Sequence, residues 1–140
     1  MIEKASFCYP NLHFQLCNVN SLKGKYDVIF SNACLQWVPE HVHLIPRLIK
    51  ENLNDGGIIA VQFPMNEDEP LYKIIAEVVK EGKWGFSEEK LDSHGTLTPD
   101  DYYNILTKCS SSFEIWETTY YHSLPNHEEL VEWVKGTRIR

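Results

Sequence analysis

The polar side chains with chemical potential sit where apolar segments end. Asn18 stands near the close of LHFQLCNV (residues 12–19), and Ser31, Asn32 and Ala33 close the apolar run that begins at Tyr26. An amide in that position needs a partner, because burying it unpaired costs about 1–3 kcal/mol. Gln36 and Trp37 follow in the next loop. Tyr120, Tyr121 and His122 form a later aromatic group. Tyrosine hydroxyls and a protonated imidazole can donate hydrogen bonds to a carboxylate, though the same residue types also serve cross-strand packing. His41 and His43 make an HxH beside Glu40. Residues two apart on a helix do not share a face, so a solvated helix start is expected there rather than a metal site. The chain has no Ser-His-Asp order, HExxH, zinc spacing or phosphate loop. Cys8, Cys17, Cys34 and Cys109 form no CxxC pair and are expected to be buried free thiols.

The elements that must position these residues alternate between strand and helix. Residues 1–7 read as a helix ended by Tyr9-Pro10-Asn11. Strict alternation over 12–19 predicts a strand. YDVIFS at 26–31 is nearly all apolar and reads as a strand buried on both faces of a parallel sheet. Pro39 opens a helix with a stripe of Val42, Ile45, Leu48, Ile49 and Leu53. Asn54-Asp55-Gly56-Gly57 is expected to stop it, and IIAVQF at 58–63 to form the next buried strand. The acidic run Glu67-Asp68-Glu69 and Pro70 lead into a helix over 71–81. Residues 82–98, with Trp84, Phe86 and His94, read as irregular. Thr98-Pro99 starts a helix to about Lys108. FEIWETTYYHS at 113–123 alternates like a strand, and Asn126 caps a last helix over 128–135. The order predicts an α/β fold with a mostly parallel sheet flanked by helices. Ligands of such sheets sit beyond the carboxyl ends of the strands, which singles out 17–20, 31–37 and 63–66.

Composition narrows the function classes. The chain has 140 residues, with 13 Lys+Arg against 20 Asp+Glu and a net charge of -7. That length fits one domain spanning 1–140. The acidic balance argues against nucleic-acid and anionic-membrane partners, which need a basic face. The longest unbroken apolar run is 58–61, far short of the roughly 20 residues of a bilayer span. No signal peptide is visible, so a cytoplasmic location is expected.

Taken in order, NVNSL at 18–22, YDVIFSNACLQWVP at 26–39, GIIAVQFP at 57–64 and WETTYYHSL at 116–124 resemble class I S-adenosylmethionine-dependent methyltransferases, in particular the trans-aconitate methyltransferase group. Asn126-His127 and Trp133-Val134 are similar to the same group's later segments. The resemblance covers nearly the whole chain. It implies an incomplete Rossmann-like fold, because the family's GxGxG cofactor turn and the acidic residue that grips the ribose have no counterpart here. The seven glycines include no GxG. The chain is therefore expected to be an internal portion of such an enzyme.

The resemblance also assigns roles. Asn18 stands where the family usually has an aspartate that accepts from the adenine amino group, and Val19 would pack on the adenine edge. Ser31, Asn32 and Ala33 would line the methionine part of the cofactor. Gln36 and Trp37 would face the methyl group and substrate, with Tyr120 and His122 on the substrate side. No catalytic residue is assigned. Methyl transfer from a sulfonium to a carboxylate oxygen depends on alignment and water exclusion more than on acid–base groups. The expected activity is methylation of a small carboxylic acid such as trans-aconitate, weak or absent in this chain alone. The alternative is a non-catalytic remnant that works as a folded interaction domain. The strand at 26–31 would have an open edge, filled either by 12–19 or by self-association with a second chain.

Overall fold

The computed structural model describes residues 1–66, 68–83, 85 and 95–135. Glu67, Trp84, Phe86 and His94 lie outside them. The elements are α1 (Ile2–Cys8), β1 (Tyr26–Asn32), α2 (His41–Asn52), β2 (Leu53–Gln62), α3 (Pro70–Lys80), α4 (Pro99–Cys109) and α5 (His127–Lys135), with short 3-10 turns at Val19–Ser21 and Leu35–Trp37. β1 and β2 pair in parallel and are joined through α2. The architecture is the mixed α/β type with a parallel sheet that the strand–helix–strand pattern predicts.

The core is small and lies on one side of the sheet. Leu35, Leu44, Ile45, Leu48 and Ile105 form its buried centre, with Val19, Ile59, Val61 and Tyr102 packed against it. The buried stripe of α2 is His41, Leu44, Ile45, Leu48 and Asn52, rotated by about one position from the expected one. Val42, counted on that stripe, is half exposed. α4 begins as expected: Thr98 Oγ1 accepts from the Asp101 amide, and Asp101 returns the bond to the Thr98 amide, a closed capping box. Asn126 Oδ1 likewise accepts the Glu129 amide at the start of α5.

Several expectations fail for one physical reason: a strand needs a partner. Residues 12–18 form no helix and no strand, and Leu12 and Leu16 are exposed. They do not fill the open edge of β1. Residues 113–123 likewise have no ladder, so no strand forms there. β1 is not buried on both faces. Ile29 and Ser31 are half-buried, whereas Val28 is 62% and Phe30 72% exposed on the bare side. Among the described residues helices cover only one face, so the doubly apolar composition of YDVIFS exceeds what they bury. Asn54-Asp55-Gly56-Gly57 does not cap α2. The helix ends at Asn52, and these residues form a bulge in which β2 takes five steps, Leu53 to Ile58, against two on β1. Gly56 adopts φ 77° there. The cysteines are free but not buried: Cys8, Cys17 and Cys34 are exposed and Cys109 is intermediate.

Candidate functional site

The end of β1 runs into a turn that is fixed from several sides. Ala33 donates its amide to the Gln62 carbonyl at 2.8 Å, extending the ladder past Asn32. The 3-10 turn Leu35–Trp37 then buries Leu35 and Gln36 and leaves Trp37 half exposed. Val38 donates to the Leu35 carbonyl at 2.8 Å, and Gly95 donates to the Gln36 carbonyl at 2.8 Å. Two non-glycine residues in the left-handed region bracket the turn, Ala33 at φ 49° and Glu40 at φ 62°. Each such conformation costs about 1–2 kcal/mol, and strain of this kind persists only where surrounding contacts over-determine it.

Ser31 and Gln36 give this loop a chemical character. Ser31 Oγ and Gln36 Oε1 are buried atoms without a hydrogen-bond partner among the described residues. Orphaned polar atoms of this kind cost about 1–3 kcal/mol each. Asn32 and Ala33 are exposed between the two.

Asn18 and Val19 are positioned by a second network. Asn18 caps the 3-10 turn Val19–Ser21, its Oδ1 accepting the Asn20 amide at 2.9 Å. Arg47 donates to the Val19 carbonyl at 2.6 Å and to Asn52 Oδ1 at 3.1 Å. The buried Asn52 amide donates in turn to the carbonyls of Leu22 and Gly24. Val19 borders the same apolar cluster as Leu35, so the two candidate cofactor segments share one packing unit. Tyr120 and His122 lie elsewhere in the chain fold. Their rings stack at 6.5 Å, and His122 packs on Trp133 of α5 at 5.0 Å.

The main correction concerns His41. The expected solvated histidine is fully buried. Its Nε2 lies 2.8 Å from the Leu35 carbonyl and its Nδ1 2.5 Å from the Tyr102 hydroxyl. The signal was present: His41 precedes Leu44, Ile45 and Leu48 by three, four and seven residues, so it belongs to the apolar face. His43 is exposed, and no group of three metal-ligating side chains occurs among the described residues. Arg47, Asn52 and Tyr102 were also not singled out by motif. Burial raises the Tyr102 hydroxyl above the ordinary tyrosine pKa; the Asp101 charge acts in the same direction and the Leu97 amide opposes it. Tyr102 therefore keeps its proton near neutrality and acts as a donor.

Gly95 gives a direct check on how tightly this loop is held. A side chain at Gly95 would place its Cβ 2.3 Å from the Val38 carbonyl oxygen. That atom and the next two, Pro39 Cα and Val38 C at 3.0 Å, are all backbone, so the segment at 95 must shift. Gly95→Ala is expected to cost about 1–3 kcal/mol and to open the Gly95–Gln36 hydrogen bond. Urea unfolding and amide exchange at position 95 measure both, and unchanged values in both would contradict this account of the loop.

Comparison with known proteins gives a consistent result. Trans-aconitate 2-methyltransferase from Agrobacterium fabrum is 37% identical over 144 residues, covering 100% of this chain and 56% of the relative. The Enterobacter protein of the same name is 38% identical over 143 residues, covering 100% and 54%, and that of Escherichia coli O157:H7 is 34% identical over 142 residues with the same coverage. No family model matches the chain, and no solved structure does. The chain thus spans about half the length of the curated relatives it matches. The β1–turn–α2 unit carries SNACLQWVP, and relatives that match the whole chain at 34–38% identity are named trans-aconitate 2-methyltransferase, which supports a place for the chain in the S-adenosylmethionine-dependent methyltransferase family.

Proposed function

We propose that this chain carries cofactor- and substrate-facing loops of an S-adenosylmethionine-dependent methyltransferase that acts on a small carboxylic acid such as trans-aconitate. The observation that carries the reading is the end-to-end match to relatives of that name, with the matched loop 31–37 holding two orphaned buried polar atoms. S-adenosylmethionine supplies an electrophilic methyl group when bound. Ser31, Asn32 and Ala33 hold its amino-acid end, and Asn18 and Val19 its adenine. Gln36 and Trp37 shape the space for the acceptor carboxylate and exclude water from it, with Tyr120 and His122 contributing donors on the substrate side. The rate comes from alignment rather than from a proton-transfer pair. The bare sheet face of Val28, Phe30 and Ile58 supports a division of labour, in which further parts of a methyltransferase domain pack against β1 and complete the cofactor site. Among the described residues no helix is long and apolar enough to cross a membrane.

A chimera tests the proposal. In the Agrobacterium fabrum relative, the matched portion is replaced by these 140 residues. The chimera is expected to methylate trans-aconitate, and Asn32→Ala within it to lower kcat/KM by roughly tenfold, the effect of losing one hydrogen bond of about 1.4 kcal/mol. A folded chimera that binds S-adenosylmethionine yet leaves trans-aconitate and related carboxylic acids unmodified would sink the substrate assignment.

A further inference from the structure

We propose that His41 is a positioning residue: through the Leu35 carbonyl and the Tyr102 hydroxyl it sets the turn that orients Gln36 and Trp37. The functional meaning of that turn rests on the reading above; the device itself rests on hydrogen-bond geometry. A carbonyl oxygen can only accept, so the ring nitrogen 2.8 Å from Leu35 O, Nε2, carries a proton. In the neutral ring Nδ1 then holds the lone pair and accepts from the Tyr102 hydroxyl. The Tyr102 oxygen in turn accepts the Leu97 amide at 3.1 Å. Every proton on the path from Leu97 to Leu35 has one donor and one acceptor, which fixes the imidazole in a single tautomer.

The path joins four parts of the fold. Leu97 belongs to the segment that also donates from Gly95 to Gln36. Tyr102 lies on α4, His41 opens α2, and Leu35 begins the turn. The rings of His41, Tyr102 and Phe63, which follows β2, contact one another at 5.5–5.8 Å. Leu35 O takes both His41 Nε2–H and Val38 N–H, so its two lone pairs are filled. The strained junctions at Ala33 and Glu40 leave the turn dependent on outside anchors of this kind.

The test compares substitutions that keep different halves of the path, in the whole chain. Glutamine at a histidine site places its amide nitrogen where Nε2 stands, so His41→Gln keeps the Leu35 bond. Asparagine reaches only the place of Nδ1, so His41→Asn keeps the Tyr102 side and loses Leu35. In 1H–15N spectra, the Trp37 indole and Gln36 side-chain amide signals are expected to stay in place in His41→Gln and to move by more than a line width in His41→Asn. Tyr102→Phe keeps the ring packing and is expected to leave the proton on Nε2, held by the Leu35 carbonyl, while shifting the 15N signal of Nδ1, which loses its hydroxyl donor. A space-filling His41 predicts equal disturbance by both His41 variants, and that result overturns the proposal. If His41→Asn does not fold, Tyr102→Phe decides: an unchanged imidazole 15N pattern overturns it. No readout needs cofactor. Loss of S-adenosylmethionine binding with these shifts intact would count against the functional reading alone, and the reverse would count against the positioning role alone.

Discussion

Titrated with S-adenosylmethionine, the isolated 140-residue chain is expected to bind at least tenfold, and up to about ten-thousandfold, more weakly than its full-length relatives. The estimate follows from the contacts the chain offers. Its glycines include no GxG, so no backbone can approach the cofactor as closely as a glycine turn permits. By resemblance, the acidic group that holds the ribose has no counterpart. On the proposed assignment Asn18 offers the adenine a neutral acceptor in place of a charged one, and its oxygen already accepts the Asn20 amide. Two polar contacts at about 1–3 kcal/mol each correspond to one to four tenfold steps at about 1.4 kcal/mol per step. Calorimetry on the isolated chain beside the Agrobacterium fabrum relative measures the difference. Equal affinity would mean that the loops at 18–19 and 31–37 suffice for the cofactor.

How much of this was legible in the sequence depended on where each signal resides. Two helix starts were readable because capping is local: Thr98 and Asp101 satisfy each other within one turn, and Asn126 Oδ1 accepts the Glu129 amide at the start of α5; the start of α2 was not, since Pro39 lies before its N-cap Glu40 and the helix begins at His41. The pairing of β1 with β2 was readable because two apolar runs bracket one amphipathic helix. The runs at 12–19 and 113–123 carry equally clean alternation, yet neither is a strand, because alternation states a preference for one covered face and supplies no partner. His41 was misplaced by reading two histidines as a pair. Its relation to Leu44, Ile45 and Leu48 was the informative one. The Arg47–Asn52 network could not be read at all. It depends on carbonyls of Val19, Leu22 and Gly24, and any residue would present a carbonyl there. The candidate site was therefore legible as segments, while the buried path that holds one of them was not.

The largest effect on stability is expected from Leu48→Ala. Leu48 is 1% exposed, at the centre of a buried cluster that otherwise consists of Leu35, Leu44, Ile45 and Ile105. Leucine-to-alanine changes at such positions cost about 2–5 kcal/mol, combining lost burial with the cavity left behind. The bare face of β1 and β2 adds nothing to compensate, since Val28, Phe30 and Ile58 stay largely in water. A domain of this size has only about 5–15 kcal/mol in total, and one with so few buried side chains belongs at the low end. Leu48→Ala is therefore expected to shift the urea midpoint far toward zero or abolish the cooperative transition. Leu16→Ala, at an 88% exposed position, should change stability by no more than about 0.5 kcal/mol. The damage should also reach the site, because Leu35 opens the 3-10 turn that carries Gln36 and Trp37 and shares the cluster with Leu48. The Trp37 indole 1H–15N signal followed through the same urea series reports that link. Equal midpoints for the two variants would show that the core does not hold this fold together.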